Sequence, residues 1–314
     1  MRILFAGSPD FAVPSLVAVQ KVFPVTAVLT NPDRPGGRGK QPVATAVKRK
    51  ALALDLPVLQ PQSLDAQFLE QLRTYNPELL VVVAFGRIFS REFLEFFPRG
   101  GVNLHASLLP KYRGPSPVTA AILSGENQTG VTVQKVAPKM DVGDILGART
   151  LPLTGAETTG SLSAVLADLG AELLPEILVE LEQGKARPVA QDEAHVSYCR
   201  LVRKEDGQID WSAEAGMIQR MIRAYDPWPR AFTTWEGQRL NLLAGGVYPE
   251  RIDTGSKPQG LVLDVDNRYG ILVKTGGGVL YVHRLQLQAK KPLDWRSFLN
   301  GQKDFIGSQL GEHR

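Results

Sequence analysis

Cysteine is nearly missing from this chain. Only Cys199 stands among 314 residues, so neither a disulfide framework nor a thiolate zinc site can be assembled. A reducing, cytoplasmic setting fits that scarcity. Histidine is almost as rare, with four residues: His105, His195, His283 and His313. No second histidine or cysteine stands at ligand spacing from any of them, so no bound metal is expected. A membrane-length apolar run is absent, and residues 2–6 read directly as a strand, so neither a membrane partner nor a signal or transit peptide is expected. The pattern G-x-G-x-x-G is also missing after that strand. Gly7 stands alone before Ser8 and Pro9, which argues against the pyrophosphate cradle of a nicotinamide cofactor. Internal repeats and low-complexity tracts are lacking too.

What is present describes a globular chain. Hydrophobic residues make up 43% and charged residues 22%, and the length suits two cores better than one. Net charge is +4, and its distribution says more than its size. Between positions 21 and 50 stand Lys21, Arg34, Arg38, Lys40, Lys48, Arg49 and Lys50, opposed only by Asp33. Most such runs are solvated faces. This one surrounds a glycine- and proline-rich stretch, so part of it is a loop with exposed backbone.

Apolar runs at 2–6, 25–29, 57–59 and 79–84 alternate with helical patterns at 11–20, 44–54 and 64–75. That alternation predicts β-α-β units and a mostly parallel sheet covered on both faces. Ser8 and Pro9 are suited to cap the first helix. Further strands are expected at 101–103, 129–136 and 144–151, and a long helix at 162–182 stopped by Gly184. Periodicity fails between 185 and 208. A helix at 213–224 then precedes five short strand-like runs at 231–235, 240–246, 260–265, 271–275 and 279–287, the spacing of a small β-barrel. The expected division is an α/β, Rossmann-like domain over 1–188, a linker over 189–208, and a β-barrel domain over 209–314.

Chemistry concentrates in two stretches. In G-V-N-L-H-A-S-L-L-P-K-Y-R-G-P-S-P (101–117), Asn103 and His105 sit two positions apart at the end of an apolar strand. Strand periodicity sends both side chains to one face, at the carboxyl edge where open α/β sheets bind ligands. In V-T-V-Q-K-V-A-P-K-M-D-V-G-D-I-L (131–146), Asp141 and Asp144 follow another strand. Asparagine can donate to a developing oxyanion, histidine can shuttle a proton, and aspartate can orient the histidine. The other three histidines lack such neighbours. Ser107 lies in no G-x-S-x-G elbow, which argues against a serine hydrolase.

The N-L-H-x-S-L-L-P block, with D-x-G-D downstream, resembles the folate-dependent formyltransferases. The resemblance implies Asn103, His105 and Asp141 as the catalytic trio and Ser107, Leu108, Leu109 and Pro110 as the folate-binding segment. F-A-G-S-P-D-F (5–11), N-P-D-R-P-G-G-R-G-K (31–40) and R-A-Y-D-P-W-P (223–229) are similar to the methionyl-tRNA formyltransferase branch, over essentially the whole chain. That branch implies 10-formyltetrahydrofolate as donor and initiator methionyl-tRNA as acceptor. It also implies tRNA contacts from Arg34, Arg38 and Lys40, an OB-like second domain, no metal, and a cytoplasmic monomer serving translation initiation. Val142 and the run Pro115-Ser116-Pro117 depart from the usual pattern without removing a side chain assigned chemistry. A formyltransferase acting on an amino sugar nucleotide or other small amine, and a non-catalytic folate- or RNA-binding relative, remain as alternatives.

Overall fold

A computed structural model describes residues 1–36 and 41–311, which form two compact units. The first comprises residues 1–117, 128–152 and 162–200; the second comprises 118–127, 153–161 and the chain from 201 onward.

The elements of the first half begin with β1 (Ile3–Gly7), α1 (Val13–Val22), β2 (Val25–Leu29), β3 (Arg34–Gly36), β4 (Gln41–Val43), α2 (Ala46–Leu52) and β5 (Val58–Leu59). They continue with α3 (Ala66–Arg73), β6 (Leu79–Val83), α4 (Arg91–Glu95), β7 (Gly101–His105), α5 (Pro117–Ser124), β8 (Gln128–Lys135), β9 (Ile145–Pro152) and α6 (Thr159–Glu182). Seven strands form one sheet in the order β5-β2-β1-β6-β7-β8-β9. The first five run parallel; β8 is antiparallel to β7, and β9 to β8. Strands β1 and β6 are buried at every position, as their unbroken apolar runs require of a sheet covered on both faces. Connections run outward from β1 to β2 and β5, then return to place β6 on the other side of β1. The carboxyl ends of β1 and β6 therefore flank a topological switch point, where α/β sheets open a ligand crevice.

Two local expectations are corrected. Ser8 does not cap α1. Pro9 is extended, a 3₁₀ turn at Asp10–Ala12 intervenes, and the Ser8 hydroxyl accepts the Asn31 side-chain amide at 2.9 Å instead. Between β6 and β7, where no element is expected, α4 forms behind its Ser90 cap. It buries Phe93, which stacks on Phe68 and Phe89 and packs at a tilt against Phe97. Helix α6 presents Leu162, Leu166, Leu173, Leu174 and Leu178 to the core. A Cβ on its Gly170 would lie 2.4 Å from Leu104 Cδ2, so a glycine lets the helix approach β7 closely.

In the second unit α7 (Ala215–Ala224) precedes β10 (Ala231–Trp235), β11 (Gln238–Val247), β12 (Val262–Asp266), β13 (Gly270–Lys274), β14 (Val279–Leu287), β15 (Leu293–Asp294) and α8 (Trp295–Gly301). The strands pair antiparallel in the order β10-β11-β14-β13-β12, with β15 on β14. Trp211, Ile218, Ile222, Trp235, Leu240, Phe298 and Phe305 belong to their shared core. Among the described residues, no helix is long and apolar enough to cross a membrane.

Candidate active site

Strand β7 ends in the chemistry. Asn103 and His105 share its face, and the antiparallel ladder sets Asn103 opposite Gln134 and His105 opposite Thr132 on β8. The loop after β8 brings Asp141 onto this four-residue patch. Asp141 adopts a left-handed backbone (φ 54°), a conformation that aspartate tolerates better than most residues. Its carboxylate is the hub. Oδ1 accepts Gln134 Nε2 at 2.9 Å and Asn103 Nδ2 at 3.3 Å, and lies 3.6 Å from His105 Nδ1. Oδ2 accepts the Gly114 amide at 2.9 Å. The other imidazole nitrogen, Nε2, donates to the Tyr112 carbonyl at 2.9 Å. Both ring nitrogens thus face oxygen atoms, one in a hydrogen bond and one at ion-pair distance. The His105 and Asp141 side chains are only 7% and 10% exposed, so their interaction is little screened by water.

The loop after β7 is held from below. Thr132 Oγ1 donates to the Ser107 carbonyl at 2.7 Å and accepts the Leu109 amide at 3.1 Å. Ser107 is fully buried and its hydroxyl donates to the Lys111 carbonyl at 2.6 Å, so it points inward and is no nucleophile. Leu109 is buried, while Leu108 and Pro110 are half-buried. At Gly114 the φ of +124° and the Cys199 carbonyl, 2.1 Å from where a Cβ would stand, both demand glycine. That requirement places the backbone amide against Asp141.

Four further residues of the site have no role assigned to them by the sequence. Gln134 is legible only through strand register. Arg113 is buried, and its Nε and Nη2 donate to Gln191 Oε1 at 3.0 and 2.9 Å. Gln191 Nε2 in turn donates to the Asp141 and Gly143 carbonyls at 2.9 and 2.8 Å. Gln191 and Cys199 come from a segment where periodicity fails. Burial pushes the Cys199 thiol up, and the Asp141 charge adds to that effect, so the thiol stays protonated near neutral pH. Its sulfur lies 3.4 Å from the Tyr112 carbonyl.

Other sequence candidates lie elsewhere. Asp144 turns away to Lys135 at 3.6 Å. His195 pairs with Asp192 at 2.8 Å on the surface, and exposed His283 stacks on Tyr281. Arg34 is exposed at the start of β3, whereas Arg38, Lys40 and His313 fall outside the described residues. The approach to that stretch is pinned: Asp33 pairs with Lys48 at 2.6 Å and accepts Gln60 Nε2 at 2.8 Å. Those bonds, the one from Gln60 foremost, hold its carboxyl below the usual range. No group of three or more His, Cys, Asp or Glu side chains among the described residues could hold a metal ion.

Comparison with known proteins gives the chain a family. The formyl transferase family matches residues 1–178, and its C-terminal domain matches residues 201–303. A methionyl-tRNA formyltransferase from Treponema denticola is 43% identical, with 98% of each chain covered. Another from Roseiflexus castenholzii is 46% identical, with 99% of each covered. The fold also matches WlaRD, a sugar 3N-formyl transferase solved in the presence of dTDP and 5-N-formyl-THF, at TM-score 0.67 and 18% identity, covering 93% of this chain and 99% of that one. The last likeness speaks for the fold alone. With full-length relatives above 40% identity and both family domains in order, the chain belongs to the formyl transferase family, on its methionyl-tRNA formyltransferase branch.

Proposed function

We propose that this chain transfers a formyl group from 10-formyltetrahydrofolate to the α-amino group of methionine on initiator methionyl-tRNA, in support of translation initiation. The observation that carries the reading is the convergence of Asn103, His105 and Asp141 at the carboxyl end of β7, in a chain of this family. Bound 10-formyltetrahydrofolate supplies an activated one-carbon acyl group.

The residues present fit that donor. Leu108 and Pro110, both half-buried, follow β7 directly after Asn103 and His105, so apolar surface suited to a flat ring stands next to polar donors in the chain. Leu108, Leu109 and Pro110 hold the folate in this reading, and fully buried Ser107 serves the same segment by bonding the Lys111 carbonyl behind them. Asn103 directs an Nδ2 hydrogen to the oxygen on which acyl transfer to an amine builds charge, and His105, whose Nδ1 lies 3.6 Å from Asp141 rather than in a hydrogen bond, turns that nitrogen to the same oxygen. Asp141 orients both side chains; the amine attacks the formyl carbon, its proton passes by way of Asp141 or a water beside it to N10 of the folate, and the bond from the formyl carbon to N10 breaks to release tetrahydrofolate. The reading assigns no side chain as nucleophile. Arg34, Arg38 and Lys40 contact tRNA phosphates, and the chain acts as a cytoplasmic monomer.

The test is formyl transfer by purified protein from 10-formyltetrahydrofolate to charged initiator tRNA, run beside the same assay with an amino sugar nucleotide. Turnover of the tRNA with none of the sugar is expected. The reverse preference would transfer the reading to the sugar-modifying branch, and no turnover of either would leave a binding protein.

A further inference from the structure

We infer that Arg113, Gln191 and Gln134 form a positioning relay that sets the orientation of Asp141 and, through it, of Asn103 and His105. The inference rests on the functional reading above. Its logic is one of hydrogen-bond direction. A guanidinium has donors only and stays charged. Buried Arg113 aims two N–H groups at Gln191, so that face of the Gln191 amide must be its oxygen. Gln191 Nε2 then points the other way, and every partner it meets is an acceptor: the Asp141 carbonyl, the Gly143 carbonyl and Gln134 Oε1 at 3.2 Å. With its oxygen so engaged, Gln134 presents Nε2 to Asp141 Oδ1 at 2.9 Å. Each amide has one permitted orientation, and the sequence of bonds ends by requiring Asp141 to accept.

That requirement bears on chemistry. Asp141 Oδ1 is shared between Gln134 and Asn103, and Oδ2 is taken by the Gly114 amide. Asn103 is thereby turned with its nitrogen toward Asp141, which leaves the second Nδ2 hydrogen for a reacting oxygen. The relay members are buried: Arg113 is 1%, Gln134 2% and Gln191 9% exposed. Glu193 caps the guanidinium at 2.8 Å from the solvent side and is the first cause holding its pKa above the ordinary arginine value. The side-chain hydrogen bonds of the three reach Asn103 and His105 only through Asp141, so they position and do not catalyse.

Two variants and a background test this. Gln134→Met keeps the volume and removes the donor to Asp141. Gln191→Glu keeps acceptors for Arg113 while removing the donors that Gln191 supplies to the Asp141 and Gly143 carbonyls and to Gln134. Each should lower kcat by about ten- to hundredfold with KM for either substrate changed less than about twofold. On an Asp141→Asn background, adding Gln134→Met should change kcat by less than about twofold, because the relay acts only through the carboxylate. A merely structural role would instead multiply the two losses. If Gln191→Glu fails to fold, Gln134→Met decides. Wild-type kcat in Gln134→Met, a loss expressed in KM alone, or an undiminished further loss on the Asp141→Asn background overturns the relay. If the wild-type protein formylates no charged tRNA, or Asp141→Asn keeps full activity, the functional reading fails and takes the relay with it. Impaired Asp141→Asn beside an unaffected Gln134→Met condemns the relay alone.

Discussion

At His105, Nε2 donates to the Tyr112 carbonyl, while Nδ1 faces Asp141 at 3.6 Å, longer than a hydrogen bond. Replacement by alanine removes both ring nitrogens and leaves Leu108 and Pro110 in the chain. His105→Ala should therefore lose about 10²–10⁴ in kcat while folate affinity, read by fluorescence or calorimetric titration, stays near wild type. A variant retaining half of wild-type turnover would remove His105 from the chemistry. Gly114 makes a different point. Its side chain is only a hydrogen atom, yet the site depends on it, since its amide reaches Asp141 and a methyl would collide with the Cys199 carbonyl. Gly114→Ala should cost about 1–3 kcal/mol of stability, from strain at a positive φ, and lower kcat as well. Denaturant titration and steady-state kinetics on the same preparation check both, and wild-type values in each would show that the loop yields freely.

Among the elements, the β7–β8 ladder does most to assemble the site. Its cross-strand pairs bring Gln134 to Asn103 and Thr132 to His105, so the strand bearing the chemistry and the strand supporting it cannot slip independently. The turn before α6 illustrates stabilisation by charge. Burial pushes the Glu157 carboxyl up, but the Thr154 hydroxyl, the Thr154 amide and the Gly155 amide outweigh it and hold it at about 2. A folded-state pKa depressed below the ordinary 4.5 adds stability that is fully present above pH 4.5 and lost as pH falls toward 2. Glu157→Gln should thus destabilise by about 1 kcal/mol at neutral pH, a modest figure because solvent screens the group. The gap from wild type should close between pH 4.5 and 2 in urea titrations. A gap of constant size across that window would show that the ionised carboxylate contributes nothing.

Over the whole molecule the net charge of +4 is small, and the basic residues near the amino terminus are not equivalent. Lys48 is spent on Asp33, whereas Arg34 is exposed beside the stretch that holds Arg38 and Lys40. Arg38→Ala with Lys40→Ala should weaken binding of charged tRNA. It should also reduce the slope of log affinity against log salt by roughly 0.7–0.9 per lost phosphate contact. Background hydrolysis of 10-formyltetrahydrofolate should be unchanged, because the site on β7 is built without these residues. Binding isotherms across a salt series decide it: parallel slopes with equal affinities would mean the loop does not touch tRNA and would favour a small-amine acceptor.

Sequence by itself determined the parallel α/β core, because unbroken apolar runs separated by helical patterns have few other ways to be buried. It also determined that Asn103 and His105 share a face, since strand periodicity is a local property. The N-L-H-x-S-L-L-P block then carried the family. What only the tertiary structure decided is who serves Asp141. Asn103 lies 38 positions from it, and Arg113 lies 78 positions from Gln191. Gln191 and Cys199 belong to a stretch whose lack of periodicity suggested a linker, and the hydrogen bonds that enlist them appear only when the chain has folded. The Ser8 cap failed for a related reason, since its hydroxyl had a better partner in Asn31, on another strand's loop. Periodicity reports how a side chain sits on its own element. Which distant donors meet one carboxylate is decided by register, burial and the direction of each hydrogen bond, and these are properties of the folded chain.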